Sequence, residues 1–208
     1  MHKMVFYIIV GLWLTKAYNY DYNKKGVKKM LFYYKELLEK GFNRYQIEKE
    51  TKNKKLFKVA KGIYSDEEYP SDLAIIMKKY PKSILTLNSA FFYYELTDKI
   101  PEYYYLATEK KAHIIKEDSI KQIFTTKKFW NIGLTQVKIE DTEVNIYDRE
   151  RILIELIRYK TKLPYELYKE VINSYRKIKE QINFIKVYKY AKSFNNSYII
   201  KTIETEVM

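Results

Sequence analysis

Cysteine is absent from this 208-residue sequence, which excludes disulfide bonds, thiolate metal sites and a cysteine nucleophile. A reducing compartment is the natural setting for such a chain. Glycine is also scarce: the five glycines, at positions 11, 26, 41, 62 and 133, lie too far apart for a phosphate-binding loop or a dinucleotide fingerprint. The two histidines, His2 and His113, have no second histidine or cysteine nearby with which to hold a metal ion. We therefore expect no cofactor and no metal.

Catalytic groupings are missing as well. The close carboxylate pairs are Asp141 with Glu143 and Asp148 with Glu150. They fall at an expected hairpin turn and an expected helix N-terminus, where Asp and Glu have structural roles. His113 as a general base is an alternative that no neighbouring residue supports. We expect a protein that is not an enzyme, and a nuclease with a carboxylate-bound metal is the competing interpretation.

Long apolar runs are absent too. Residues 5–14, VFYIIVGLWL, form a ten-residue apolar stretch, whereas a membrane-spanning helix needs about 20 residues. The preceding MHKM and the following TKAYNYDYNKK do not have the pattern of a secretory signal. We expect a cytoplasmic protein without membrane contact. Residues 1–27 form an N-terminal extension of uncertain status, and an over-long reading frame is an alternative origin for residues 1–29.

Positive charge is abundant, with a formal net charge of +13. Residues 43–61 carry seven lysines and arginines against two glutamates, a balance of +5. Residues 65–148 carry 11 against 14, a balance of −3, and residues 149–192 carry 12 against five, a balance of +7. A uniform codon bias toward lysine does not produce two basic blocks around an acidic middle, and such blocks favour polyanionic partners.

The first basic block follows a helix–turn–helix pattern. Apolar residues within 28–40 recur with helical spacing, and Gly41 is placed to end that helix. Asn43 and Gln46 form a capping box for a second helix, with Phe42 packing on Ile47 as a hydrophobic staple. Residues 56–64 then read as two short strands around a turn at residues 60–62. Residues 28–69 are therefore predicted to form a winged helix-turn-helix, with residues 66–71 as the exit linker.

The rest of the chain, residues 72–208, is predicted to be an α+β domain with a small sheet and a helical end. Helices are expected over 72–80 and 88–96, and strands over 103–108, 120–125, 135–139 and 144–147, with a turn at 141–142. Helices follow over 151–159, after Pro164, over 183–194 and over 197–207. The expected fold class of the whole chain is α+β.

The capped second helix and the hairpin are predicted to bind double-stranded DNA. A recognition helix presents its N-terminal residues to base edges, while lysines and arginines around it neutralise phosphates. The candidate DNA-binding residues are Arg44, Tyr45, Lys49, Lys52, Lys54, Lys55, Lys58 and Lys61. A solvated basic face without a partner is the alternative.

Five stretches of the chain follow one another in the order LLEKGFNRYQIEK, KKLFKVAKGIYSD, KSILTLNSAFFYYELTDKIPEYYYLA, YDRERILIELIR and YAKSF. In this order they resemble the AbiEi antitoxins of type IV toxin–antitoxin systems, which act in abortive phage infection. Gly62 to Tyr64 match the end of that family's wing, and Ser89, Leu96 and Pro101 match its second domain. Three positions depart from the family pattern: Glu50 replaces an apolar residue, Lys54 replaces a common glycine, and Tyr94-Glu95 replaces a frequent His-Gly.

The resemblance implies a winged-helix domain that binds operator DNA and represses its own operon, followed by an antitoxin domain. It also implies a nucleotidyltransferase-like toxin as functional partner, opposed without a stable complex. Arg149, Arg151 and Arg158, in the second basic block, are candidates for an antitoxin patch. A basic interaction module, or a transcriptional regulator without antitoxin activity, is the alternative.

Overall fold

The computed structural model describes residues 30–208, so the predictions for residues 1–27 and for an over-long reading frame lie outside the described residues. The fold is mixed α+β, as predicted, with two small sheets. The chain divides into two compact units, Met1–Lys79 and Tyr80–Met208. The division thus falls after Lys79, beyond the predicted linker at residues 66–71.

The first unit alternates short strands and helices. Its elements are β1 (Leu31–Tyr33), α1 (Tyr34–Glu39), α2 (Arg44–Lys52), β2 (Phe57–Ala60), β3 (Ile63–Ser65) and α3 (Asp72–Lys79). The three strands form an antiparallel sheet in the order β1-β3-β2. The predicted hairpin is confirmed.

The predicted helix over residues 28–40 was wrong in its first half. Residues Leu31 to Tyr33 pair with β3, Leu31 opposite Ser65 and Tyr33 opposite Ile63, and the helix begins only at Tyr34. The sequence Leu-Phe-Tyr suits a strand as well as a helix, and a partner strand distant in the sequence decides between them. The Tyr33 N–H then donates to Glu36 Oε2 at 2.7 Å, which caps the new helix.

Helix ends in the first unit follow the predicted chemistry. Asn43 Oδ1 accepts from Gln46 N at 2.9 Å, and Gln46 Oε1 accepts from Asn43 N at 2.8 Å, so the capping box is confirmed. Gly41, with φ +89°, ends α1 in a Schellman motif. Lys54 occupies the equivalent position after α2 with φ +56°; its N–H donates to Thr51 O, and that of Lys55 donates to Glu50 O.

A small apolar core holds this unit together. Leu37 of α1, Ile47 of α2 and Leu56 before β2 are buried against one another, and Phe42 packs on this cluster as the staple requires. Helix α3 is attached through Lys78, whose Nζ lies 2.7 Å from Glu36 Oε2. Partial burial acts to raise the pKa of Glu36, but hydrogen bonds from Lys78 and Tyr33 lower it below its ordinary value.

The second unit is a five-stranded mixed sheet with helices. Its first elements are β4 (Ile84–Leu85), α4 (Leu87–Tyr93), β5 (Tyr104–Glu109), β6 (Ile120–Thr125), α5 (Lys127–Trp130), β7 (Leu134–Ile139) and β8 (Thr142–Tyr147). The strand order is β6-β5-β4-β8-β7, with β4 parallel to β8 and β5 parallel to β6. The two-residue strand β4 is therefore central, and both its residues are buried.

The helical end follows β8. It comprises α6 (Arg149–Arg158), a 3₁₀ turn (Lys160–Lys162), α7 (Tyr165–Lys177), a second 3₁₀ turn (Lys179–Gln181), α8 (Phe184–Ser193) and α9 (Ser197–Glu206). Most predicted helices and strands of this unit match the observed elements closely. The β7–β8 turn lies one residue earlier than expected, at Glu140 and Asp141, and α5 was not predicted.

The last helix is fixed through Glu206. Its carboxylate lies 2.6 Å from Lys160 Nζ and accepts a 2.6 Å hydrogen bond from the Tyr168 hydroxyl. Partial burial acts to raise the pKa of Glu206, but the hydrogen bonds from Lys160 and Tyr168 outweigh it and lower the pKa below the ordinary value of 4.5.

Candidate nucleic-acid interface

The four DNA-binding residues predicted on α2 lie on its exposed face. Arg44, Tyr45, Lys49 and Lys52 are exposed, whereas Ile47 is 1% exposed and faces the core. At 3.6 residues per turn these four side chains lie within roughly 140° of the helix circumference. The capping box leaves the N-terminal turn of α2 in solvent, so Arg44 and Tyr45 lie at the open end of the helix.

The hairpin adds the remaining lysines. Lys54 and Lys55 lie on the turn after α2, Lys58 is the exposed residue of β2, and Lys61 lies at the tip between β2 and β3. All eight predicted DNA-binding side chains are thus exposed on one continuous helix-and-hairpin segment. Such a surface supplies several ammonium groups to neutralise phosphates without burying any of them.

Arg44 forms an ion pair on this face. Its Nε lies 2.9 Å from Glu48 Oε1, one helical turn along, and both side chains are mostly exposed. The hydrogen bond and charge of Glu48 raise the pKa of Arg44. An exposed pair of this kind contributes little to stability, so the guanidinium can exchange Glu48 for a phosphate or a base edge at small cost.

Glu50 is a charged residue on the inner side of α2, where the AbiEi pattern has an apolar residue. It is half-buried, and within residues 30–208 its Oε2 atom is buried without a hydrogen-bond partner. The residue is not part of the exposed basic face.

The second predicted patch does not form as a surface, because Arg151 is fully buried. Its Nη1 donates to Phe129 O and Ile132 O, both at 2.9 Å, and its Nε donates to Glu155 Oε1 at 2.8 Å. The guanidinium carbon also lies 4.4 Å from the ring centroid of Tyr147. Arg151 is therefore a core residue that fixes the loop before β7, and it does not belong to an exposed patch.

Gly133 lies in that same loop, and because it has no side chain it leaves room for Arg151. A Cβ atom at Gly133 would lie 2.4 Å from Arg151 Cβ and 2.8 Å from Asp148 Oδ1, and the backbone has φ +75°. No other residue type fits beside the arginine.

Arg158 and Arg149 remain partly accessible. Arg158 is 32% exposed and donates to both carboxylate oxygens of Glu155, at 2.8 and 2.9 Å. The Arg149 guanidinium is half-buried, 5.3 Å from the ring centroid of Tyr94. Both arginines thus have intramolecular roles, and only parts of them can reach a partner.

In residues 30–208, no group of three or more histidine, cysteine, aspartate or glutamate side chains is arranged to hold a metal ion. Within that same range, none of the helices combines the length and the apolar character needed to span a bilayer.

No protein-family model matches the sequence. A comparison with curated proteins likewise finds no significant match.

Proposed function

We propose that the chain is a DNA-binding antitoxin of a type IV toxin–antitoxin system active in abortive phage infection, and that it works in the cytoplasm. In this proposal the first unit is a winged helix that binds double-stranded operator DNA and represses its own operon. The chain also counteracts a nucleotidyltransferase-like toxin without a stable complex, and it is not an enzyme. The observation that carries the proposal is the joint exposure of the eight basic and aromatic side chains on α2 and the hairpin.

The order of elements in the first unit supports a winged helix. A strand, two helices joined by a four-residue turn, and a β-hairpin follow one another, and β1 completes the sheet. In winged helices the second helix enters the major groove and the hairpin lies along the backbone. Here those two parts correspond to α2, with Arg44 and Lys49, and to β2–β3, with Lys58 and Lys61.

Backbone conformation supports the resemblance to the AbiEi antitoxins. Lys54 and Glu95 stand where that family commonly has glycine, and both have positive φ, +56° and +59°. Each is the left-handed residue that ends a helix in a Schellman motif. The chain therefore keeps at both positions the conformation that glycine favours, although the side chains differ.

DNA binding is tested by titrating a fluorescent duplex of the chain's own promoter with the protein. Arg44→Ala and Lys49→Ala should each weaken binding to that duplex about tenfold, with less effect on a scrambled duplex, because a base contact carries roughly 1–3 kcal/mol. Lys138→Ala, an exposed lysine of β7, is the matched control and should leave affinity unchanged.

The hairpin is tested by salt dependence. Replacing Lys54, Lys55, Lys58 and Lys61 together by glutamine should lower the slope of log affinity against log salt by about 0.9 for each phosphate that the protein no longer neutralises. Unchanged affinity and slope in all of these variants would overturn the DNA-binding proposal and leave a solvated basic face.

The antitoxin activity needs a separate measurement. Cells that express a nucleotidyltransferase-like toxin from the neighbouring gene should be rescued by the wild-type chain. Arg149→Gln and Arg158→Gln should weaken rescue if the accessible parts of these arginines act on the toxin pathway, while Lys192→Gln, an exposed residue of the same basic block, should not. Promoter binding without rescue by the wild-type chain would indicate a transcriptional regulator that is not an antitoxin.

A further inference from the structure

A groove in the second unit combines lysine and aromatic side chains. It encloses about 370 Å³ between the β5–β6 side of the sheet, the start of α4 and the segment that leads from α6 into α7. That volume lies within the range of small-ligand sites, about 300–1,000 Å³. The lining of the groove includes Asn88, Tyr105, Lys121, Phe124, Tyr159 and Lys162.

The groove is cationic and aromatic at once. Its lining contains Lys121 and Lys162 and no aspartate or glutamate. Lys121 Nζ lies 4.3 Å from the ring centroid of Tyr103, beside the groove, and 5.9 Å from that of Tyr105, and Lys162 Nζ lies 5.3 Å from that of Tyr159. Within residues 30–208, neither lysine has an observed ion pair with a carboxylate. A ligand that complements this lining has negative charge and a flat apolar body.

An unsatisfied acceptor gives a second, independent indication. The Oδ1 atom of Asn88 is buried and, in the described part of the chain, has no hydrogen-bond partner. A buried acceptor without a partner is costly, and rotation of the Asn88 amide toward the groove would let a ligand donor remove that cost. Gln122, by contrast, is fully engaged, since its amide contacts Thr108, His113 and Ile115.

The backbone beside Asn88 is strained. Leu87 has φ +44°, a region that bulky side chains rarely occupy, and it is 2% exposed. Such strain recurs where a fold holds a ligand-facing segment in place. In this groove it holds the segment that carries Asn88.

We propose that this groove binds a nucleotide, with the phosphate between Lys121 and Lys162, the base against the aromatic rings and the Asn88 amide at a base edge. A lysine ammonium is a strong phosphate ligand, and aromatic side chains stack with any base. An uncharged nucleoside leaves both lysines without a counter-charge, and inorganic phosphate leaves the rings and Asn88 unused. The ligand is either a free nucleotide or one nucleotide of a single strand, since both present the same chemistry.

Calorimetric titration of the full-length protein with each of the four ribonucleoside 5′-monophosphates tests the proposal. At least one nucleotide should bind saturably, about tenfold or more tighter than its nucleoside and than inorganic phosphate. The double variant Lys121→Gln/Lys162→Gln should weaken that binding about tenfold or more. The matched variant Lys138→Gln/Lys201→Gln removes the same charge from exposed sites elsewhere in the unit and should bind like the wild type.

Phe124→Ala tests the same groove even if the lysine double variant does not fold. The Phe124 ring is 47% exposed, so its loss is compatible with the fold. This variant should bind the nucleotide more weakly than the wild type and should bind inorganic phosphate with unchanged affinity. No saturable nucleotide binding at millimolar concentration, or equal weakening in both double variants, would overturn the proposal.

A single-stranded hexanucleotide separates the two sources of the ligand. It is titrated in a protein in which all seven basic residues of the first-unit surface are glutamine, so that this surface does not contribute: Arg44, Lys49, Lys52, Lys54, Lys55, Lys58 and Lys61. Binding about tenfold tighter than the mononucleotide, lost in Lys121→Gln/Lys162→Gln, identifies a strand as the ligand. Equal or weaker binding identifies the free nucleotide.

Discussion

Gly41, Lys54 and Glu95 each end a helix in the left-handed conformation. Gly41 predicts a turn at its position, because glycine adopts positive φ without strain. Lys54 and Glu95 adopt the same conformation with side chains that give no such signal. The two residues had been noted only as departures from glycines of the AbiEi family, and their backbone conformation was not predicted.

The first prediction concerns Lys54. Lys54→Gly should raise the free energy of unfolding by about 1 kcal/mol, because a left-handed backbone costs a non-glycine residue roughly 1–2 kcal/mol and part of this is offset by the added flexibility of glycine. Urea unfolding followed by circular dichroism measures the change.

Lys55→Gly is the matched control for this experiment. Lys55 is the next exposed lysine, and it is not among the residues with positive φ. Its replacement should lower stability by about 0.5–1 kcal/mol. The same direction of change in both variants would contradict the strain argument.

Buried charge is the other residue-scale feature that the sequence hides. Arg151 counted as one more cation of a basic block, yet inside the core its guanidinium donates to the Phe129 carbonyl of α5, to the Ile132 carbonyl of the following loop and to Glu155. The two carbonyls lie outside α6, so this environment of the arginine exists only once the unit has folded. The Asn43–Gln46 box, by contrast, is local, and it was predicted correctly.

At the scale of elements, local signals defined most helices and strands of the second unit, whereas strand β1 depended on a distant partner. The groove lined by Lys121 and Lys162 was also missed, because its residues come from four separate segments of the chain. The residues at 103–108 and 120–125 predicted the strands but not which surface they would form.

The second prediction concerns the attachment of α9. Glu206→Gln should lower the free energy of unfolding by about 1–2 kcal/mol at pH 7, because the carboxylate hydrogen bonds with Lys160 and Tyr168 lose their charge. A carboxylate with a lowered pKa stabilises the fold above its unfolded pKa, near 4.5, and loses this contribution as the pH falls through the folded value. The difference between wild type and variant should therefore shrink below pH 4.5.

Glu180→Gln, at an exposed glutamate of the second 3₁₀ turn, is the control and should show no comparable difference at either pH. A Glu206→Gln difference that stays constant from pH 7 to pH 3 would contradict the ionic origin of the effect. Thermal unfolding across this pH range provides the measurement.

At the scale of the whole molecule, the chain consists of two compact units with separate sheets. The larger unit has its own buried core, in which β4 joins the β5–β6 side of the sheet to the β8–β7 side. The order of the predicted strands and helices indicated the α+β class, and the distribution of charge indicated a basic first part, whereas the predicted boundary lay at the polar residues 66–71.

The third prediction is that residues 80–208 fold without the first unit. The fragment should unfold cooperatively in urea, since every strand of its sheet lies within it. A fragment of residues 87–208 lacks only β4 and the residues before it, and it should not fold, because the central strand is missing. Amide dispersion in nuclear magnetic resonance spectra distinguishes the outcomes, and a disordered 80–208 fragment would contradict the division into units.

The close approach of Gly133 to Arg151 has an evolutionary consequence. A methyl group at position 133 would lie 2.4 Å from the Cβ atom of residue 151, an atom that every residue type except glycine has, so shortening the arginine does not make room for it. Among relatives that share this unit, position 133 should therefore remain glycine whatever side chain stands at position 151.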